Sequence, residues 1–361
     1  MSILSEAIQK PQQLALRKML FQVHLWTGIG VGLYILLISV TGAAIVFQEE
    51  MEHAIYSELT HASNVAGPQA AIGTVIENAR SAYRGYHVES VFLPTEDVQT
   101  FGIEMRTDDL RVVAYAHPVT AKILGHRERD RPFLEILNDL HHNLLAGKTG
   151  RLVNGFGGLF LGILCITGAI IWWPGIKNWK RSLKVDLGKK WKRVNWDLHS
   201  ASGFWTLALI ALWAVTGAYF TWDDEIKEAI NYVSPLSQPK QPKSDVAMKG
   251  RNPYPAIDSL VGIARNEFPD TRLSRISLPK NDEETIRIMM ARGELRDRRA
   301  TDNLYFDQFT GKLLGKWQRG IHRSAGDVIV YWISPLHYGD FGGVWVKALW
   351  VALGLAPALL L

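Results

Sequence analysis

Polar and hydrophobic positions are not interleaved evenly along this chain; they alternate in long blocks. Met19–Gln48, Leu152–Ile176 and Leu198–Trp222 each run for at least 25 residues without Asp, Glu, Lys or Arg. About 20 apolar residues cross the hydrocarbon core of a bilayer, so each block predicts a transmembrane helix. A fourth apolar run, Ala348–Leu361, spans 14 residues up to the end of the sequence. Between the blocks the pattern changes. Ile72–Tyr83 and Ala256–Phe268 have helical periodicity. His87–Leu93, Phe101–Arg106, Leu273–Leu278 and Thr285–Met290 alternate as strands do.

The blocks repeat. His24-x3-Gly28 and Val40-Thr41-Gly42-Ala43 in the first reappear as His199-x3-Gly203 and Val215-Thr216-Gly217-Ala218 in the third, with 17 residues from histidine to threonine each time. Outside the blocks, Tyr115 to Gly125 matches Tyr305 to Gly315, sharing Tyr, Thr, Lys, Leu and Gly at equal offsets. His141 precedes Arg151 by ten residues, and His337 precedes Lys347 by ten. Thr167-Gly168-Ala169 closes the second block, and its counterpart in the fourth would fall at 363–365. The expectation is therefore two homologous halves, with the sequence ending inside its last helix.

Charge sets the expected orientation. The segment between the second and third blocks carries Lys177, Lys180, Arg181, Lys184, Lys189, Lys190, Lys192 and Arg193 against Asp186 and Asp197. By the positive-inside rule it is cytoplasmic, and Lys10, Arg17 and Lys18 put the N-terminus on the same side. The net charge of +5 then reads as a topology signal, not as nucleic-acid binding. Trp172, Trp173, Trp179, Trp191 and Trp196 flank the loop as an interfacial belt. The polar start and the length of the first block fit a retained signal anchor better than a cleaved leader. Cys165 is the single cysteine, so no disulfide forms within the chain, and no Cys-x-x-Cys-His for covalent haem occurs.

Histidine is the chemistry that the repeat singles out. Neutral imidazole ligates haem iron, and two imidazoles on one iron suit an electron carrier because no site is left for substrate. His24 and His199 fall at the starts of two spans on the cytoplasmic side; His141 and His337 fall at the opposite boundary. Within 132–147, Phe133, Leu137, Leu140, His141 and Leu144 share one helical face, with Glu135, Asn138, Asp139 and His142 on the other. This favours His141 over His142 as a ligand. A lone interfacial histidine more often caps a helix or reaches the headgroups; symmetry argues otherwise here. His322 is a weaker alternative to His337. His53, His61, His87, His117 and His126 read as surface positions of the first extramembrane domain. Arg151 and Lys347 are candidate anchors for haem propionates, with headgroup binding the competing reading. Gly28, Gly30 and Gly32 lie inside a span, not after a strand, so a dinucleotide fingerprint is unsupported. They, with Gly158 and Gly162, allow close helix packing or room for a porphyrin.

These motifs, with Leu140-His141-x2-Leu144-Leu145, Gly150-Arg151, Trp172-Trp173-Pro174 and Pro335-Leu336-His337-x-Gly339, resemble the PepSY-associated transmembrane helix family from His24 to about residue 360. These are iron-regulated inner-membrane proteins with periplasmic PepSY domains. Within the family the chain is similar to the haem-containing siderophore reductases of the ferrioxamine type. It departs from the family pattern at His142, where a basic residue is usual.

The resemblance implies an α+β integral membrane protein of the bacterial inner membrane. It would have four transmembrane helices in two helix–PepSY domain–helix units, with two small α+β periplasmic domains. The expected divisions are a cytoplasmic segment 1–18, a span 19–48 and a first periplasmic domain 49–132. An interfacial helix 133–150, a span 151–174 and the basic loop 175–196 follow. The second half comprises a span 197–222, a second periplasmic domain 223–334 and a last, truncated span 335–361.

The implied cofactors are two non-covalent haem b groups, held by His24 with His199 and by His141 with His337. The implied activity is reduction of a ferric siderophore to release Fe(II) in the periplasm. The donor would be quinol or a cytoplasmic flavoprotein, and the other partner is the lipid bilayer. Trp317, Tyr331, Trp332 and Tyr338 are candidate lining of the acceptor site. The alternative is a non-enzymatic accessory protein that binds or presents a siderophore.

Overall fold

A computed structural model describes residues 14–129, 133–237, 241–250, 255–293, 301–318, 321 and 323–361. These fall into two compact units. His322 lies outside the described residues.

The first unit is helical. Helix α1 (Ala15–Ile45), α6 (Gly147–Trp172) and α8 (Trp191–Thr221) are each long and apolar enough to cross a membrane. At 1.5 Å per residue, α1 alone is about 46 Å long, more than the hydrocarbon core requires. From Val23 to Val40 its exposed residues are all apolar, Leu33 being 81% exposed. Such surface is stable in lipid and costly in water, so the chain is a multi-pass membrane protein. Helices α6 and α8 approach closely at Gly158, where a Cβ would meet the Ala214 carbonyl oxygen at 3.2 Å. A fourth crossing is formed at most by α11 (Ala325–Tyr338) with α12 and α13 (Gly343–Gly354, Ala356–Leu359), which meet α11 at 72°. In the first half, α5 (Phe133–Asn143) likewise ends before α6 begins, with three residues between them.

The break displaces one residue from its expected place. Leu144 does not continue the helical face of His141: α5 ends at Asn143, and Leu144 and Leu145 have φ of 52° and 57°. The left-handed conformation is unusual for a branched side chain. It interrupts the chain between the His141 helix and the Arg151 helix. In the second half, Gly339 (φ 73°) and Gly343 (φ 70°) make the corresponding turn without that cost.

The remaining elements of the helical unit are α7 (Trp179–Ser182) in the basic segment and α9 (Asp223–Val233) after α8. Helices α2 (Gln48–Ile55) and α3 (Ser57–Thr60) begin the second unit.

The second unit contains two four-stranded antiparallel modules. Helix α4 (Ile72–Ala82) precedes β1 (His87–Phe92), β2 (Phe101–Arg106), β3 (Arg111–Ala116) and β4 (Ile123–Glu128). Helix α10 (Ile257–Glu267) precedes β5 (Arg272–Ser277), β6 (Ile286–Ala291), β7 (Thr301–Phe306) and β8 (Leu313–Gln318). The modules fuse into one sheet of order β4-β3-β2-β1-β5-β6-β7-β8. At the seam Ser90, Val91 and Phe92 pair with Ser277, Ile276 and Arg275. Leu93 N donates to the Ser274 carbonyl and Leu278 N to the Glu89 carbonyl. Pairing removes what would otherwise be an open strand edge on each module.

Strand alternation puts Ile103, Met105, Ile286, Ile288 and Met290 on the face covered by α4 and α10, where Val75, Ala79 and Ala264 complete a continuous apolar core. Each module has a bulge near the start of its first strand, at Val88/Ser90 and Leu273/Arg275. Each also sets a tyrosine opposite a glycine, Tyr115 across from Gly125 and Tyr305 across from Gly315. The β3–β4 and β7–β8 loops are built alike too. His117 Nδ1 accepts from Val119 N, and the Asp307 carboxylate accepts from Phe309 N and Thr310 N. His117, read from sequence as a surface position, is thus an organiser of its loop.

Candidate haem-ligand site

The spans bring four histidines into two pairs. The ring centres of His24 and His199 are 6.1 Å apart with planes at 87°. Those of His141 and His337 are 6.5 Å apart with planes at 54°. Along α1, His24 and Thr41, which touches His141, are separated by about 25 Å of helix rise. The two pairs therefore occupy opposite ends of the helical unit.

Each imidazole is held by its Nδ1. His24 Nδ1 is 3.0 Å from Thr167 Oγ1, and His337 Nδ1 is 2.7 Å from Thr216 Oγ1. His141 Nδ1 lies 3.2 Å from Thr41 Oγ1 and 3.1 Å from the Ile38 carbonyl. His199 Nδ1 lies 2.6 Å from the Leu360 carbonyl. Carbonyls only accept, so His141 and His199 carry their proton on Nδ1. The threonines act as acceptors too, because each hydroxyl donates to the carbonyl four residues back: Thr41 to Leu37, Thr167 to Ile163 and Thr216 to Leu212. All four rings then keep the Nε2 lone pair available to a ligand. Fixing one imidazole nitrogen by an outer hydrogen bond is how proteins orient a metal-binding histidine.

Neighbouring groups complete the placement. A Cβ on Gly42 would meet His141 Cε1 at 2.7 Å, and one on Gly168 would meet His24 Cε1 at 3.2 Å. In these Thr-Gly pairs the threonine holds the ring and the glycine makes room for it. The carbonyls that end α5 and α11 are taken by side chains from the spans: Asn154 Nδ2 donates to His141 O at 2.7 Å, and Trp213 Nε1 to His337 O at 3.2 Å. Asn154 is itself bonded by Tyr34 Oη at 2.5 Å.

Other sequence candidates stand differently. His142 bonds back to the Asn138 carbonyl of its own helix at 2.9 Å, and its ring is edge-on to that of His141. Arg151 donates to the Phe220 carbonyl and lies 3.7 Å from Asp223. Lys347 Nζ sits 6.0 Å from the centre of the Phe47 ring. Trp317 and Tyr331 belong to the sheet unit, Trp332 and Tyr338 to the helical unit. Tyr338 stacks on Phe220, which also meets His337 edge-on.

The donor set suits a macrocycle better than a bare ion. Among the described residues no three His, Cys, Asp or Glu gather to hold a metal. Two imidazoles would serve an iron whose remaining positions a macrocycle fills. With metal–nitrogen bonds of about 2.0 Å, two imidazoles sharing one iron would sit about 6 Å apart, centre to centre. Both pairs have this spacing.

The family model for the PepSY-associated TM region matches residues 21–361. The chain belongs to this family. It is also 31% identical over 90 residues to an uncharacterized protein of Pseudomonas aeruginosa. That match covers 24% of this chain and spans only 21% of the relative's length. The matched region takes in both four-stranded modules as well as the long helices.

Sequence reasoning singled out the histidines but missed Thr41, Thr167 and Thr216 as their partners. The signal was present: Thr-Gly-Ala recurs in three spans. It served there only to establish the repeat.

Proposed function

We propose that this membrane protein binds two b-type haems, one between His24 and His199 and one between His141 and His337, and moves electrons across the bilayer. The observation that supports it best is the recurrence, at both ends, of an imidazole pair about 6 Å apart with every Nδ1 engaged. Bound haem would supply one-electron chemistry at iron. The chain's own part is to hold four Nε2 atoms toward two points about 25 Å apart along α1. Arg151, which keeps further N–H donors beside its Phe220 bond, and Lys347 are the cations we assign to propionates at the His141/His337 end.

The acceptor we propose is a ferric siderophore in the periplasm, with the sheet modules on that side and the basic loop in the cytoplasm. Support for the acceptor is the resemblance to siderophore reductases. The physical reason is that siderophores hold Fe(III) far more tightly than Fe(II), so one electron releases the iron. The donor is quinol or a cytoplasmic flavoprotein.

The test is a reduced-minus-oxidised spectrum of the purified protein, followed by Fe(II) trapping with a ferrous chelator after adding a ferric siderophore. A low-spin b-type signal that halves in the His24→Ala/His199→Ala double variant is expected. No signal, or an unchanged one in the variant, sinks the ligand assignment. Siderophore binding without Fe(II) release would favour an accessory role.

A further inference from the structure

At the basic-loop end, two buried N–H donors stand without a partner among the described residues: Arg17 Nη1 and Trp172 Nε1. Leaving a buried donor unmatched is unfavourable, and more so for a charged one. The other Arg17 amine, Nη2, donates to the Ile171 carbonyl, the residue just before Trp172. The Trp172 indole stacks on Phe204 at 4.2 Å and 25°. Both donors therefore belong to one corner formed by α1, α6 and α8.

That corner has a fixed register to the His24/His199 pair. Arg17 precedes His24 by seven residues, two turns along the same stripe of α1. Ile171 follows Thr167, the partner of His24, by four residues, about 6 Å further along α6. Phe204 follows His199 by five on α8.

The other end repeats part of the construction. Arg151 donates to the Phe220 carbonyl, four residues beyond Thr216, which bonds His337. In both cases a guanidinium caps the carbonyl one turn outward from the threonine that holds a histidine. The difference is in the counter-ion. Arg151 has Asp223 at 3.7 Å, whereas Arg17 has no acidic partner among the described residues.

We infer that Arg17 Nη1 and Trp172 Nε1 form an oxyanion site whose occupant is a carboxylate of the porphyrin held by His24 and His199. The inference rests on the haem reading above. Arg17, which sequence reasoning used only as a topology signal, becomes a cofactor-binding residue, and Trp172 becomes more than part of an interfacial belt. The other source of the same chemistry is the phosphate of an anionic lipid headgroup.

The experiment strips haem from the full chain in nanodiscs and titrates back haem or its dimethyl ester, for wild type, Arg17→Gln and Trp172→Phe. Losing a charge-assisted hydrogen bond weakens binding by about 10- to 100-fold. Wild type should prefer haem to the ester by that order at one of its two sites. Arg17→Gln should abolish the preference, and Trp172→Phe should reduce it a few-fold, with the low-spin spectrum kept in both.

An unchanged preference in both variants overturns the inference while leaving the histidine assignment intact. Native mass spectrometry in phosphatidylglycerol against phosphatidylcholine nanodiscs reads the second source. Loss of bound phosphatidylglycerol in Arg17→Gln, with haem preference unaltered, overturns the porphyrin assignment in favour of a headgroup. A wild-type protein that binds no haem sinks the proposed function instead.

Discussion

Thr216 Oγ1 lies 2.7 Å from His337 Nδ1 while its own hydroxyl proton is given to the Leu212 carbonyl at 2.7 Å. One side chain thereby sets both the tautomer and the orientation of a candidate ligand. Thr41 and Thr167 do the same for His141 and His24.

Thr216→Val keeps the shape of the side chain and removes the acceptor. The His337 ring would then turn more freely, and its Nδ1–H would lose the pull that makes Nε2 a stronger donor to iron. Weaker donation favours Fe(II), so the midpoint potential of one haem should rise. Haem retention should fall about 10-fold. Spectroelectrochemistry of Thr216→Val beside Thr216→Ser checks this. The serine variant, which keeps the hydroxyl, should stay near wild type.

How much of this was legible beforehand depends on the kind of signal. Charge-free blocks and equal His-to-Thr spacing exposed the spans and the duplication, because bilayer thickness and helix periodicity act locally on the sequence. The fused sheet was not legible. Whether β1 pairs with β5 depends on two edges far apart in the chain, Val91 pairing with Ile276, and strand alternation alone carries no information about edge partners. The turn at Leu144 was missed for a different reason. Leucine is a strong helix former, and nothing in its propensity announces a left-handed conformation. The Arg17 corner was hidden because a basic residue beside a span is explained well enough by topology.

Asp258 links the two modules. Its carboxylate accepts from Ile72 N at 2.8 Å and Gly73 N at 3.0 Å, capping α4 from α10. Ala71, at the helix start, offers no side-chain cap of its own. Asp258→Ala should therefore destabilise the first module by about 1 kcal/mol, although the residue lies in the second. A lower melting temperature for the solubilised protein, with faster amide exchange in α4, is the expected result. Asp258→Asn should recover much of the loss.

Asp307 gives a pH dependence to the sheet unit. Burial pushes its carboxyl up, but hydrogen bonds from Asp245 N, Thr310 N, Thr310 Oγ1 and Phe309 N outweigh that and hold it below the usual carboxylate range. A group whose pKa is lower in the folded state stabilises fully above its unfolded value, near 3.9, and loses that contribution as pH falls through the folded one. Wild type and Asp307→Ala should thus differ most in thermal stability near pH 7. The gap should begin to close only below about pH 4. Melting curves from pH 7 to pH 3 would show it, and a constant gap would refute the assignment.

The adjacent histidines 141 and 142 separate ligand from bystander. His141 has its Nδ1 between Thr41 Oγ1 and the Ile38 carbonyl and faces His337, whereas His142 Nδ1 turns back to the Asn138 carbonyl of its own helix. His141→Ala should remove one of the two haems, seen as half the pyridine haemochrome per protein. His142→Ala should retain both with unchanged spectra. Gly42→Ala offers a test that leaves both histidines in place. Its methyl would lie 2.7 Å from His141 Cε1, closer than two carbons pack, so the ring must move. The expected phenotype is that of His141→Ala in milder form, a loss or high-spin conversion of one haem. If His142→Ala rather than His141→Ala removes the haem, the choice between them is reversed, and the threonine contact to His141 becomes a purely structural one.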